Sequence, residues 1–146
     1  MFSAMGEVLT SENLIFLLKG AGLSLAMAVL SLLIGLVLGT LGASAKISKN
    51  RILRCIGNVY VEIIRGTPML LQILILFAVV PLIYMEITGE RLVMNVFLIG
   101  VIAMGINSGA YSCELIRSAI MAVDRGQWEA AQALGLSYTG MMRHII

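Results

Sequence analysis

Charge is scarce in this sequence. Lys, Arg, Asp and Glu make up 12% of the 146 residues, and 60% are hydrophobic. A soluble domain is about a quarter charged. With a mean hydropathy of +1.00, a soluble core of this length cannot hide the apolar surface, so composition places the chain in a membrane. The net charge of +2 is too small to point to nucleic acid. The two cysteines, Cys55 and Cys113, lie far apart and form no CxxC, and the one histidine is His144. That excludes a recognisable zinc site and argues against a disulfide framework. A GxxxxGK[ST] phosphate loop, a GxSxG elbow and HExxH are all missing, so nothing marks an enzyme and no cofactor is expected.

What is present is apolar length. Residues 20–45 hold neither charge nor proline, and residues 66–85 and 92–113 are also uncharged. At about 1.5 Å per residue each run crosses a hydrocarbon core of roughly 30 Å as a helix. Helices satisfy their own backbone hydrogen bonds in lipid. The expected fold class is all-α, a polytopic transmembrane helical bundle with three spans. The first run ends in Ala43-Ser44-Ala45, which resembles a signal-peptidase site. Glu7 and Glu12 in place of a basic leader, and a run longer than the usual ~7–15 residues, argue against cleavage.

Orientation follows the basic residues. Lys46, Lys49, Arg51, Arg54 and Arg65 stand against the single acid Glu62 in the loop after the first span, which puts that loop in the cytoplasm. The N-terminal flank is acidic apart from Lys19, which can snorkel. The link from Glu86 to Arg91 carries two acids and one base. Both fit the outer side. The N-terminus is then outside and residues 129–146 are cytoplasmic.

Ser31, Gly35 and Gly39 repeat every four residues in the first span. Either they let a partner helix approach closely, or they reflect only how common glycine is in membrane helices. Thr67-Pro68 reads as a helix start, with threonine at the cap and proline at the first helical position. Pro81 is expected to kink the second span or end it early. In the third span Asn107, Tyr111 and Glu114 share one face at i, i+4 and i+7, beside Ser108 and Ser112. Intramembrane polar groups face a bundle interior or a watery path. The plainer alternatives are an interfacial Glu114 paired with Arg117 at i+3, and an Asn107 bonded to a neighbouring helix.

Residues 127–134 read as a short helix of good helix formers ended by Gly135, and Ser137 can cap a second one toward His144. Trp128 suits an interface anchor or a membrane-interface tryptophan equally. Glu129 at the helix start is favoured by the dipole and offers a charge to a partner. A solvated tail is the plainer reading.

Glu129-Ala130-Ala131, Gly135 and Ile145 follow the spacing of the EAA loop of binding-protein-dependent ABC importer permeases, and the chain resembles that family. YVEIIRGTP at 60–68, INSGAYSCELIRSAI at 106–120 and VDRGQWEAAQALG at 123–135 resemble its polar amino acid subclass. An EAA triplet alone is unspecific; three such stretches in order are not. The resemblance implies a permease subunit that imports an amino acid through a bacterial cell membrane. Its partners would be a second permease subunit, identical or related, a cytoplasmic ABC ATPase dimer that uses the ATP, and an extracytoplasmic substrate-binding protein. By the same resemblance Arg125, Gln127, Glu129, Ala130, Ala131 and Gly135 would contact the ATPase, and Asn107, Tyr111 and Glu114 would line the translocation path. The family pattern continues after the EAA loop with Leu-Pro and about two more spans. Residues 1–146 are therefore expected to be a single permease domain, C-terminally incomplete. The alternative is a membrane fragment or scaffold that transports nothing.

Overall fold

The computed structural model describes residues 10–144, and the described residues form helices joined by short turns. Helix α1 (Ser11–Ile47) contains the first apolar run. Its 37 residues reach about 55 Å, more than the roughly 30 Å of a bilayer core, so both ends project. Lys46 lies in its last turn, where the dipole favours a cation.

The basic stretch after α1 is not a loop. Asn50 accepts from the Ile52 N–H and opens α2 (Arg51–Gly66). This stretch has apolar residues at helical period with its charges set to one side, which is the pattern of an amphipathic helix. It ends where Thr67 turns extended (φ −115°, ψ 139°), because a residue before proline is pushed out of the helical region. The expected helix start shifts by one residue in consequence. Pro68 is the extended N-cap (φ −60°, ψ 136°) and Met69 begins the next helix. Thr67 closes α2 instead, its hydroxyl donating to the Ile63 carbonyl at 2.9 Å.

Helix α3 runs Met69–Thr88 and does not end at Pro81. It contains a π-helical turn at Ile75–Val79, in which the Val80 N–H reaches back to the Ile75 carbonyl. Pro81 has no N–H for the i−4 carbonyl, and the widened turn just before it absorbs that defect. Gly89 ends the helix in the left-handed region (φ 74°), donating to the Met85 carbonyl at 2.9 Å. Helix α4 (Val96–Ala122) starts behind an Asn95 cap rather than at residue 92, and carries Glu114 and Arg117 in its continuation past residue 113. Two short helices follow, α5 (Arg125–Ala133) and α6 (Tyr138–His144). Helices α1, α3 and α4 are long and apolar enough to cross a membrane. The chain is thus a helical membrane bundle, as its uncharged runs predict.

The bundle is held by a seam between α1 and α4. Ser31, Gly35, Gly39 and Ala43 are the buried residues of α1. Across from them α4 buries a second four-residue repeat, Val101, Gly105, Gly109 and Cys113. A Cβ on Gly35 would stand 2.7 Å from Ser108 Oγ, and one on Gly105 2.7 Å from Ile34 Cγ2. Ser31 Oγ donates across the seam to the Val101 carbonyl at 3.2 Å. The small-residue stripe therefore has a partner within the chain. Large apolar side chains such as Phe16, Leu33 and Leu41 face outward, which suits a lipid solvent. Cys113 is sealed in the seam at 0% exposure, while Cys55 is exposed.

A Cβ on Gly39 would meet Ser112 Cβ at 2.5 Å and the Cys113 amide nitrogen at 3.1 Å, whereas Gly20 has nothing within 4 Å. Gly39→Val is expected to cost about 2 kcal/mol through overpacking. Gly20→Ala should be neutral or stabilising by up to about 1 kcal/mol. Thermal unfolding in mild detergent reads both, and an unshifted Gly39→Val transition would contradict the seam.

Candidate functional site

The three polar residues of α4 do not act together. Asn107 Nδ2 donates to Gln72 Oε1 at 3.2 Å. Gln72 in turn donates to the Ile64 carbonyl at 2.8 Å and to Thr67 Oγ1 at 2.9 Å. The break at Thr67-Pro68 strips the end of α2 of its next-turn donors. In hydrocarbon such carbonyls need another partner, and the Gln72 amide supplies it. Asn107 thus bonds a neighbouring helix, as the plainer alternative has it. Gln72 itself escaped the sequence reading, although a lone amide inside an apolar run was the signal.

Tyr111 is 52% exposed, and the Arg65 guanidinium carbon lies 5.1 Å from its ring centroid, within cation–π range. Glu114 accepts from Lys46 Nζ at 2.7 Å and from Arg117 Nε at 2.9 Å, with Arg117 Nη2 also on Oε1. The i+3 pair with Arg117 is therefore present, and a cross-helix pair to the end of α1 joins it. Tyr111 and Glu114 line an open groove with Arg65, Ser108, Ser112 and Ser118; Asn107 is held elsewhere. Between the helices Tyr60 donates to the Ile106 carbonyl at 2.7 Å.

The second site is the hairpin after α4. Val123 is extended (φ −65°, ψ 126°) and Asp124 accepts from the Gly126 N–H at 2.6 Å, which turns the chain sharply into α5. At the other end Gly135 is left-handed (φ 72°). Its N–H donates to the Gln132 carbonyl and the Leu136 N–H to Ala131, which is the Schellman pattern. Ser137 then caps α6 through Oγ to the Gly140 N–H. Trp128 is half-buried and stacks on Tyr138, ring centroids 6.2 Å apart. Five of the six coupling residues, Arg125, Gln127, Glu129, Ala130 and Gly135, are exposed. Ala131 is buried at 1% and faces its own chain. Ile145 lies outside the described residues.

A helical bundle with several apolar spans, polar side chains bonded between its helices and a short hairpin off its last long helix is the class of a multi-pass membrane protein. Residues 34–146 match the family described as binding-protein-dependent transport system inner membrane component, and the chain belongs to that family. It is 41% identical over 134 residues to the "Putative glutamine transport system permease protein GlnP" of Rickettsia prowazekii (strain Madrid E), covering 92% of this chain and 59% of that protein. It is 37% identical over 137 residues to the arginine transport system permease protein ArtQ of Bacillus subtilis (strain 168), covering 94% and 60%. Among solved structures, a chain of an amino acid ABC transporter crystallised with histidines superposes with a TM-score of 0.69 at 34% identity, covering 89% of this chain and 61% of that one. The chain thus spans about three-fifths of the length of these relatives.

Glu114→Ala leaves the Lys46 ammonium, whose side chain is 13% exposed, without its carboxylate. Removing one partner of such a pair is costlier than removing both. The Glu114→Ala/Lys46→Met double variant should therefore recover about 1–2 kcal/mol of the single-variant loss. Unfolding in a graded denaturing detergent measures the cycle; additive losses would show that the pair is not coupled.

Proposed function

We propose that this chain is membrane permease machinery of an ABC importer for an amino acid. The carrying observation is the α5 hairpin: a capped helix joined to α4 by a two-residue corner, with Glu129 and Ala130 turned outward. Alanines give a partner close approach, and Glu129 adds a charge to recognise; because α5 begins at Arg125, Glu129 stands at the fifth helical residue and not in the first turn, so the expected dipole support is absent. Arg125, Gln127, Glu129, Ala130 and Gly135 form the docking face for a cytoplasmic ATPase, and Ala131 fixes the helix from behind. ATP binding in that ATPase pair closes it, and α5 passes the movement to α4 as a rigid-body step between two states. ATP chemistry belongs to the partner, and this chain catalyses none. A second permease subunit, identical or related, and an external binding protein complete the assembly.

The groove of Tyr111, Glu114, Arg65 and the α4 serines is the translocation surface; Asn107, bonded to Gln72, stands outside it. The names of the relatives, glutamine and arginine permeases, support an amino acid cargo. The basic turn after α1 supports a cytoplasmic position for that turn and for α5, with the N-terminus outside.

Glu129→Lys and Ala130→Trp in the assembled transporter should each lower ATPase co-purification by about tenfold, the scale of a lost interface hot spot, and abolish amino acid uptake. Unaltered association and uptake would refute the docking assignment. Uptake of radiolabelled amino acid into vesicles separates this reading from a membrane scaffold, which takes up none. A Ser137→Cys thiol, in a Cys55→Ser background, should react with a membrane-impermeant maleimide only from the cytoplasmic side; labelling from outside would overturn the orientation.

A further inference from the structure

Helix α2 has three faces. Gly57 and Val61 are buried, Gly57 so closely that a Cβ there would stand 2.9 Å from Lys46 Cγ and 3.3 Å from the Gly42 carbonyl oxygen. Helix α2 therefore folds back along the end of α1 as a hairpin. A second face carries Ile52, Ile56, Val59 and Ile63, spaced i, i+4, i+7 and i+11 and so aligned on one side. They are 70%, 60%, 47% and 57% exposed. The closed end of the hairpin carries Lys49, Arg51 and Arg54, all exposed. Both ion pairs among the described residues go to Glu114, and the first turn of α2 holds no acid. These three cations thus have no carboxylate partner among the described residues.

The cations sit just past the end of the uncharged run at 20–45, at the depth of the headgroups, and the isoleucine face leads inward from them. That order, cationic and then apolar along one helix, is complementary to a phospholipid with an anionic head. A soluble anion would leave the apolar face uncovered. A second copy would bring an identical basic cluster against this one, and like charges repel. We propose that the closed end of the α1–α2 hairpin binds an anionic phospholipid. Lys49 and Arg51 hold its phosphate and headgroup, and its acyl chains lie along Ile52, Ile56, Val59 and Ile63; Arg54, nearly half a turn round the helix from that stripe, adds to the local positive potential. Amphipathic helices with basic flanks recognise anionic lipid in this way. The proposal needs only a membrane location and stands apart from amino acid import.

Native mass spectrometry of the full chain in detergent tests it, with phosphatidylglycerol and phosphatidylcholine of the same acyl chains as probes. Each basic side chain near an anionic surface contributes enough for a several-fold effect, so the wild type should retain phosphatidylglycerol at least about tenfold better. Lys49→Gln/Arg51→Gln/Arg54→Gln should bring the two lipids near parity. Lys49→Arg/Arg51→Lys/Arg54→Lys should keep the preference, as should the control Arg91→Gln. Arg51→Gln alone should lower it about threefold, which guards against a triple variant that does not fold. Glycerol phosphate should not displace the lipid. Parity in the wild type, an undiminished preference in the glutamine variants, or displacement by glycerol phosphate would each overturn the assignment.

Discussion

Two helices that come together through almost no side chain hold this molecule in register. Lipid gives no hydrophobic reward for joining apolar surfaces, so contact between α1 and α4 rests on dispersion and on close backbone approach. Gly35 and Gly39 meet Ser108, Ser112 and Cys113 at distances that leave no room for a methyl group. The longer-range bonds beside the seam depend on that approach. Tyr60 reaches the Ile106 carbonyl through the gap that Gly109 leaves open. Lys46 meets Glu114 because the same two helices are still adjacent at the end of the seam.

The polar groups of α4 divide by depth. Asn107 and Gln72 repair a broken span, where the alternative is an unpaired carbonyl in hydrocarbon. Tyr111 and Glu114 border an open groove; Glu114 balances Lys46 and Arg117, and Tyr111 offers its ring to Arg65. One face at i, i+4 and i+7 thus contains a structural device and part of the lining of an open groove. The corner at Val123-Asp124 turns the chain out of α4, and the ring stack of Trp128 on Tyr138 ties α5 to α6.

The three spans were legible because uncharged length is a one-dimensional signal. The short α5 helix was also legible within two residues, because Gly135 is a local stop that needs no tertiary context. The stripe of Ser31, Gly35 and Gly39 was visible, but its partner was not. The matching Gly105 and Gly109 stand among Asn107 and Ser108, and polar residues pull the eye toward a pathway rather than a seam. Helix α2 was hidden by its own charges, which read as a loop until their confinement to one side is recognised. The Lys46–Glu114 pair joins residues 68 apart in sequence, and only the α1–α4 geometry could reveal it. At Pro68 and Pro81 the sequence locates a disturbance, but its form, an extended cap in one case and a π turn in the other, depends on what the neighbouring carbonyls find.

The seam also decides how the two thiols experience their surroundings. Cys55 looks outward and Cys113 has no exposed surface, with the space above Gly42 filled by its sulfur at 3.0 Å. An oxidant or alkylating reagent therefore meets one at its intrinsic rate. It meets the other only during the fraction of time that α1 and α4 stand apart. The ratio of the two rates is a clock for opening of the bundle, carried by the native sequence without an added label.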